Sequence, residues 1–533
     1  MPKRDDLLVA LAALPPLFLF VVSERQIAGA VGFPLDDSWI HLHFARNLAE
    51  GAGFAYNPGR PVAGSTAPLW TLLLAAGAAV FGPSLATAKA LGVGATLVAA
   101  LLTRRAAAAF GAPPGVALLA AVGLLWTGPI AWGALSGMEV SLAALLVAAA
   151  LVAHARDRLV WSAAWAALAV LARPESLLLV PFLALARPLG WGRALVFAGL
   201  TGAAVVPMVL FSLWTSGVPY PATAAAKVEG GLIGWLGGLR EPAALTWLLR
   251  PWSFFQEWIV WLWRTQWVLP LAIFPGLVVA WVRGGRALGM PALALLAHPL
   301  GMALLAPYRG PAFQEGRYSI HLLPLAMVVL AAIARRPEPG QRGPGPLLDH
   351  ASHRPAASCD AAPCPSSAQK LRVSERSRPP LARLWAARVA VVAYLAAAAV
   401  TLVPAAERYG WAVQNINAMQ VHLGRWVDAN LPKSARIAVN DIGAIAYFSR
   451  REVIDLMGLV TPEILPYRRR GEPGVLRYVL ETCPDHLIIF PAWFPQIASN
   501  TELLEPVYRV RLERNEVAGA AEMVVYRLAR CTV

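Results

Sequence analysis

The stretch that decides the fold is LATAKALGVGATLVAALLTRR, residues 85–105. Its first nineteen residues carry a single charge, at Lys89, and are otherwise apolar or small. A helix of about 20 such residues has the length needed to cross the hydrocarbon core of a bilayer. Arg104 and Arg105 follow at once, and basic residues concentrate on the cytoplasmic side of membrane helices. The stretch therefore predicts a membrane span that runs inward and ends at a cytoplasmic basic pair.

The same alternation of apolar runs and small basic groups recurs along the chain. Of the 533 residues, 57% are hydrophobic and only 14% are charged, against about 25% charged residues in ordinary soluble domains. We therefore predict a polytopic all-α membrane protein with about eleven spanning helices. Besides residues 85–103, the predicted spans are residues 7–22, 114–132, 139–154, 161–171, 176–186, 194–214, 257–282, 289–306, 319–334 and 385–404.

The basic groups also predict the topology. If Lys3 and Arg4 hold the N-terminus in the cytoplasm, every later basic cluster falls on the cytoplasmic side as well. The segment 24–84 then becomes a long first outer loop. Within it, Pro68–Phe81 is apolar but too short for a full span, which predicts a helix lying at the interface. The net charge of +15 sits in small groups rather than on one continuous face, so we expect no nucleic-acid partner.

Composition predicts four regions in a protein of the plasma (inner) membrane. Residues 1–336 form the transmembrane domain. Residues 337–384, rich in Pro, Ser, Arg and Ala, are expected to be a disordered cytoplasmic linker. After a last span at 385–404, residues 405–533 have the composition of a small extracytoplasmic soluble α/β domain. Its strand-like runs are Arg436 to Val439, His486 to Phe490, Tyr508 to Leu512 and Met523 to Leu528.

The cysteines and histidines do not predict a metal site. Cys359 and Cys364 lie in the linker, where we expect them to be reduced. Cys483 and Cys531 lie in the outer domain and either form a disulfide or remain two buried thiols. The four cysteines lack close metal-ligand spacing, and His41 and His43 are two residues apart, so they would not share a helix face.

Two adjacent carboxylates, Asp36 and Asp37, open an amphipathic helix just past the first membrane exit. They are either acidic residues favoured by the N-terminus of that helix, or one of them is a general base near the membrane surface. The turn-rich segment that follows, residues 50–68, indicates a defined loop that walls a pocket.

The predicted topology brings further ionisable residues to the outer surface. A lipid phosphate needs cationic partners at headgroup depth, and Arg173, Lys227 or Arg317 would supply charge-assisted hydrogen bonds. The alternative for each is a long side chain that reaches the interface and anchors a helix end. The residues concerned are Glu139, Arg173, Glu175, Lys227, Arg317 and Tyr318.

An ordered set of short motifs resembles the GT-C superfamily of glycosyltransferases, and more narrowly the terminal arabinofuranosyltransferase-like group of its protein mannosyltransferase-related branch. The motifs are Asp36-Asp37, Ala45-Arg46-Asn47-Leu48-Ala49-Glu50-Gly51, Asn57-Pro58-Gly59, Pro68-Leu69-Trp70, Ser136-Gly137-Met138-Glu139, Ala172-Arg173-Pro174-Glu175, Pro219-Tyr220-Pro221-Ala222-Thr223-Ala224-Ala225-Ala226-Lys227, Gly316-Arg317-Tyr318, Gly443-Ala444-Ile445-Ala446-Tyr447-Phe448 and Asp455-Leu456-Met457-Gly458-Leu459.

The resemblance implies a polyprenyl-phosphate-linked sugar as donor and the hydroxyl of a glycan, lipid or protein as acceptor, on the outer membrane face. It implies Asp36 or Asp37 as the base, with neither metal nor cofactor. The expected substrate-binding residues are Arg46, Glu139, Arg173, Glu175, Lys227, Arg317 and Tyr318. Ala222 stands where the family often has Asn, and Ser38-Trp39 where it usually has Ala-Tyr, so the sugar is not specified.

Two other functions stay open on the sequence. A transporter or flippase for a lipid-linked sugar would have inverted repeats and ionisable residues at the membrane midplane. A non-catalytic envelope assembly protein would use the aspartates only as helix caps. Asn caps almost as well as Asp but cannot act as a base, so an Asp→Asn substitution separates these readings.

Overall fold

A computed structural model of the chain describes residues 2–188, 190–228, 230–334 and 381–529. Most of the predicted linker, together with Cys359, Cys364 and Cys531, lies outside these ranges. The chain forms two compact units, one of residues 1–335 with 398–533 and one of residues 336–397. Of the second unit, the described part is the start of a single helix.

The first 334 residues form helices joined by short connections. The helices are α1 (Pro2–Ala28), α2 (Asp36–Ala49), α3 (Pro68–Phe81), α4 (Leu85–Ala109), α5 (Pro114–Leu125), α6 (Gly128–Leu135), α7 (Val140–Ala155), α8 (Leu159–Ala172), α9 (Val180–Leu185), α10 (Trp191–Ser216), α11 (Ala222–Lys227), α12 (Gly231–Leu236), α13 (Arg250–Thr265), α14 (Pro270–Ile273), α15 (Pro275–Leu305), α16 (Phe313–Gly316) and α17 (Leu323–Ile333). Two 3-10 helices, Pro174–Leu179 and Ile320–Leu322, precede α9 and α17, and a π-helical turn, Leu245–Leu249, precedes α13.

Several of these helices can cross a membrane. Among the described residues, five helices have the length and apolar composition for it, and the pair α5 and α6, bent by 61°, makes a sixth if it counts as one span. Shorter apolar helices, α3, α7, α8 and Pro174–Leu185, accompany them. The prediction of a polytopic helical membrane protein is confirmed, while the number of about eleven spans remains a prediction.

Helix α3 and the start of α4 agree closely with the sequence. Helix α3 begins and ends at the predicted residues, and α4 begins at Leu85 as predicted. Helix α4 nevertheless continues to Ala109, past the basic pair. Arg104 donates to Asp5 and Asp6 at 3.2 and 2.6 Å, so its charge is compensated by carboxylates of α1 and the helix need not end there.

The single aromatic-rich span predicted at 257–282 is wrong. Helix α13 ends at Thr265, and a break at residues 266–269 precedes α14 and α15. Pro270 and Pro275 have no backbone N–H to donate and so each begins a new helix. Helix α15 then runs through both the end of this predicted span and the next one, 289–306, with a kink at Gly285, whose φ is 58°.

The last long helix passes the predicted boundary at residues 404 and 405 without a break. Helix α18 (Leu381–Ile416) leads through a π-helical turn (Asn417–Val421) into α19 (His422–Asn430). An apolar stripe recurs along α18 at helical spacing, and its members Ala406, Tyr409, Val413 and Ile416 are at most 2% exposed. This face of α18 is therefore packed through residue 416.

A small mixed sheet forms the C-terminal part. Its elements are β1 (Arg436–Val439), α20 (Gly443–Ser449), β2 (Glu452–Asp455), α21 (Leu465–Arg468), α22 (Glu472–Thr482), β3 (His486–Ile489), α23 (Pro495–Ala498), β4 (Leu504–Arg511) and β5 (Glu522–Leu528). The strand order is β2-β1-β3-β5-β4, with β1 parallel to both β2 and β3, and β5 antiparallel to β3 and β4. The predicted α/β domain is confirmed, and β2 is a strand that the sequence did not predict.

The first outer loop packs against this sheet. The amide of Asn57 donates to the carbonyl of Val453 at 2.8 Å and accepts from its N–H at 2.9 Å, so Asn57 pairs with the edge strand β2. The hydroxyl of Tyr56 donates to the carbonyl of Ile442 at 2.8 Å. Elsewhere in the domain, Cys483 is disulfide-bonded, which excludes a free thiol at that position.

Candidate functional site

Helix α2 places the two aspartates. Leu35, in an extended conformation, precedes its first turn, and Asp36 and Asp37 open the helix. Every residue of α2 from Asp36 to Asn47 is buried except Asp37, whose side chain is 28% exposed. The helix therefore presents one carboxylate at an open edge while the rest of its surface is packed.

Asp37 meets two cations. Its Oδ2 accepts from Arg317 Nη1 at 2.7 Å and lies 3.5 Å from Lys227 Nζ. Lys227 ends the short helix α11, and Arg317 directly follows α16. Burial would raise the pKa of Asp37, but the charges of Lys227 and Arg317 outweigh it and hold that pKa below the usual range. Asp37 is ionised at neutral pH.

A second ion-pair group lies beside the first. Arg173, 4% exposed, pairs with Glu139, and its Nε lies 3.3 Å from Glu175 Oε2. The ring of Tyr318 lies between Arg173 and Arg317, with guanidinium carbons 4.7 and 5.0 Å from its centre. Arg317 Nη2 also donates to the Tyr318 hydroxyl at 3.1 Å. We call the combined set the charge cluster: Asp37, Glu139, Arg173, Glu175, Lys227, Arg317 and Tyr318.

Two further side chains adjoin the charge cluster, and the sequence did not single them out for it. His41 Nε2 lies 3.3 Å from Glu139 Oε2, and Lys227 Nζ lies 5.9 Å from the centre of the Tyr308 ring. The signal for His41 was its position four residues after Asp37, which puts both on one face of α2.

Asp36 points to a different partner. Its Oδ2 and Oδ1 accept from the backbone N–H groups of Gly443 and Ala444 at 2.5 and 2.7 Å. It therefore caps helix α20, which lies 407 residues further along the chain. A Cβ on Gly443 would stand 2.7 Å from the carboxyl carbon of Asp36, so the approach depends on glycine. We call this the α2–α20 contact.

A third carboxylate stands beside this contact. Asp441 accepts from Gln420 Nε2 at 2.6 Å and interacts with Asp36. Burial, and then the Asp36 carboxylate, raise the pKa of Asp441 well above its ordinary value. Burial also raises the pKa of Asp36, against the lowering effect of the two α20 amides. The pair thus holds a proton to higher pH than either carboxylate would in water.

Arg46, expected among the substrate-binding residues, is joined to the sheet domain instead. Its Nη1 donates to the carbonyl of Tyr447 at 2.7 Å, and its guanidinium lies 4.6 Å from the centre of the Tyr447 ring. It is 4% exposed. Of the nine predicted site residues, seven form the charge cluster, while Asp36 and Arg46 contact α20.

An apolar groove of about 440 Å³ shares Leu178 with the apolar cluster against which Tyr318 packs. It is lined by the 3-10 helix, α9, α10 and α15, including Leu177, Leu178, Phe197 and Leu305. Leu177 comes two residues after Glu175, and Leu305 three residues before Tyr308. In the ranges that the structure covers, no three His, Cys, Asp or Glu side chains are grouped as a metal site would require.

Comparison with known proteins matches the whole fold and one domain. A family model described as a domain of unknown function, DUF8728, matches residues 413–526. No curated protein matches the chain.

Three solved structures are similar over most of the chain. ArnT from Cupriavidus metallidurans bound to undecaprenyl phosphate is 14% identical, covers 98% of this chain and 99% of its own, and has a TM-score of 0.57. The apo state of that protein is 15% identical, with 98% coverage of both chains and a TM-score of 0.54. An Archaeoglobus fulgidus oligosaccharyltransferase tethered with an acceptor peptide is 10% identical, covers 91% of this chain and 68% of its own, with a TM-score of 0.53. The chain has the GT-C fold.

Proposed function

We propose that this protein is a glycosyltransferase that moves a sugar from a polyprenyl-phosphate-linked donor to an acceptor hydroxyl on the outer face of the plasma (inner) membrane. The observation that carries the proposal is Asp37, a half-buried carboxylate held by Arg317 and Lys227. Tyr318, which follows Arg317, packs against the same apolar cluster as Leu178 of the groove. The two cations would bind the donor phosphate and the groove would bind the lipid tail. Asp37 would accept the proton of the acceptor hydroxyl.

The charges of the cluster favour a donor with one phosphate. Its three carboxylates balance its three cations, at Arg173, Lys227 and Arg317. A single phosphodiester adds one negative charge, which Arg317 and Lys227 can take up by charge-assisted hydrogen bonds because they share only one carboxylate. The structure of ArnT with undecaprenyl phosphate supports the same class of lipid.

The groove supports a long apolar tail on that phosphate. Its described lining is apolar throughout, from Leu177 and Leu178 to Leu305. Burying apolar surface contributes about 25 cal/mol per Å². A polyprenyl chain lying in the groove would carry its phosphate to the adjoining residues Arg173, Lys227 and Arg317.

In the proposed reaction, the acceptor oxygen attacks the anomeric carbon and Asp37 takes the hydroxyl proton. The bond from the anomeric carbon to the phosphate oxygen breaks, and its electron pair leaves with the polyprenyl phosphate. Arg317, Lys227 and Arg173 stabilise that departing charge. Attack opposite to the leaving phosphate inverts the anomeric centre.

Donor binding would also activate the base. In the free protein, Lys227 and Arg317 lower the pKa of Asp37, which makes it a weak base. When a donor phosphate takes hydrogen bonds from those two cations, it offsets their charge at Asp37 and raises the pKa of that carboxylate. The proton acceptor thus becomes stronger only when a donor is in place.

The test is transfer by the purified protein in nanodiscs from a panel of radiolabelled undecaprenyl-phosphate sugars to a membrane extract. Wild type, Asp37→Asn and the control Glu50→Gln would be compared. Glu50 follows the last turn of the same helix, where it faces Arg450 at 3.8 Å. Transfer by wild type and Glu50→Gln, lost in a folded Asp37→Asn, supports the proposal.

Two outcomes point to the other functions. Movement of the lipid-linked sugar across proteoliposomes with no transfer to any acceptor would favour a flippase. No transfer from any donor by any of the three proteins, with equal retention of undecaprenyl phosphate, would favour an assembly protein, in which the aspartates only cap helices.

A further inference from the structure

The segment that carries Arg317 has an unusual backbone. Three successive residues before it, Gln314, Glu315 and Gly316, have φ values of 49°, 60° and 76°. Left-handed conformation is unstrained only for glycine, and non-glycine residues keep it where the surroundings impose it. Five of the described non-glycine residues have a positive φ, and two of them, Gln314 and Glu315, are adjacent and lie just before Gly316 and Arg317.

Contacts from two helices impose this conformation. Arg408 of α18 donates from Nε and Nη2 to the two carboxylate oxygens of Glu315, at 2.7 and 3.2 Å. Trp261 of α13 donates from its indole N–H to the carbonyl of Glu315 at 3.2 Å. A Cβ on Gly316 would collide with the Trp261 ring. Together these contacts hold both the side chain and the backbone of Glu315.

The ion pair is also exposed enough that its contribution to global stability is small. The side chains of Arg408 and Glu315 are 42% and 23% exposed, and exposed pairs contribute about 0–1 kcal/mol. A two-pronged contact of this kind fixes geometry more than it stabilises the whole fold. Its effect should therefore appear locally, in the position of the two residues that follow.

We propose that Arg408 and Glu315 are positioning residues, whose ion pair holds residues 314–316 left-handed so that Arg317 faces Asp37. Without the pair, the segment relaxes toward the right-handed region and turns Arg317 away from Asp37. The catalytic part of this inference rests on the proposed function. The structural part, that the pair holds the segment, does not.

The experiment compares full-length wild type, Arg408→Gln, Glu315→Gln, the double variant and a matched control, Glu407→Gln. Glu407 neighbours Arg408 on α18, but its ion pair, at 3.5 Å, is with Arg514. Hydrogen exchange of the amides at 312–319 is expected to be about fivefold faster in both single variants. The control should exchange like wild type there, and the melting temperature should be unchanged in all.

Sugar-transfer kinetics supply the second measurement. Because the pair contributes at most about 1 kcal/mol, its loss should lower kcat by up to about fivefold, while the groove maintains donor binding, so KM should change much less. Because both substitutions break one pair, the double variant should match the single variants rather than add their effects. If the pair had a purely structural role, the variants would have a changed melting temperature, and kcat would not fall without a change in KM.

Each failure has its own meaning. Wild-type exchange at 312–319 in Arg408→Gln, or additive effects in the double variant, would overturn the claim that the pair holds the segment. Faster exchange with unchanged kcat would overturn its link to Arg317. Absence of transfer by wild type from every donor would refute the proposed function, and the exchange result would still decide the structural part.

Discussion

Two neighbouring carboxylates of one helix face two different regions. In the charge cluster, Asp37 is bound by side chains on long flexible stems and is 28% exposed. In the α2–α20 contact, Asp36 is bound by two backbone amides and is 7% exposed. The same residue type, one position apart, thus has movable partners on one side and fixed partners on the other.

The difference suits Asp37 to a reaction and Asp36 to a structural contact. Lysine and arginine side chains can redirect their donors to an incoming phosphate, whereas the amides at a helix N-terminus have no alternative partner when buried. Displacing Asp36 would leave two buried N–H groups unsatisfied. Displacing the partners of Asp37 costs less because a phosphate replaces the carboxylate.

The largest expected effect is at Asp37. Asp37→Asn should lower the transfer rate by about 10²- to 10⁴-fold, because the amide cannot accept the hydroxyl proton. Asn retains an acceptor oxygen for Arg317, so the protein should still fold, which a detergent melting curve checks. Near-wild-type transfer in this variant would assign the base elsewhere and remove the contrast with Asp36.

The next effect is at Arg317. Arg317→Gln should lower transfer by about 10²- to 10³-fold, the range found when a donor to a developing negative charge is removed. The control is Arg309→Gln, since Arg309 is an exposed neighbour that stacks 5.4 Å from the Tyr308 ring centre. Equal losses in both variants would mean that general positive charge, rather than the Asp37 pairing, is what matters.

A smaller effect on rate, and a larger one on stability, is expected at Asp36. Asp36→Ala should reduce the free energy of unfolding by about 1–3 kcal/mol, because it leaves the amides of Gly443 and Ala444 without an acceptor. The free energy of unfolding of Asp36→Asn should lie between those of wild type and Asp36→Ala, since Asn keeps one acceptor oxygen. Protease resistance of the sheet domain and transfer per folded molecule are the measurements. If an Asp36 variant lost as much transfer rate as Asp37→Asn, Asp36 would have more than a structural role.

The smallest effect is a pH dependence at Asp441. Its pKa is raised by burial and by Asp36, so the folded state keeps a proton that the unfolded chain releases above about pH 4. Stability contributed by that proton is therefore lost as pH rises. Asp441→Asn should flatten the fall in melting temperature as the pH rises above about 4. Asp428→Asn, an exposed carboxylate whose pKa is lowered by hydrogen bonding to Lys433, should leave the slope unchanged.

Much of the charge cluster was predictable because the order of the apolar runs places most of its residues at the same face of the membrane domain. Glu139, Arg173, Lys227 and Arg317 each follow or precede an apolar run at its outer end, so alternating spans bring them to one face. The structure joins Arg173 and Arg317 through the Tyr318 ring, and Arg317 to Asp37. Helix α3 and strand β1 were also predicted with their observed bounds, since periodicity is a local property.

What the sequence did not predict depends on distant partners. Adjacent helix residues point about 100° apart, and only α20 reveals which way Asp36 faces. Arg46 was assigned to the substrate for the same reason, although its partner is Tyr447. Strand β2 begins at Glu452, and the Asn57 with which it pairs lies 396 residues away in sequence.

The cap on α20 also has a consequence for the order in which the molecule is made. Asp36 leaves the ribosome 407 residues before Gly443, an interval of roughly 20–80 s at about 5–20 residues per second. For that time α2 lacks the amides that Asp36 caps. The enzyme proposed here would thus be assembled from its two ends, and a nascent chain would remain inactive until its last domain had folded and docked.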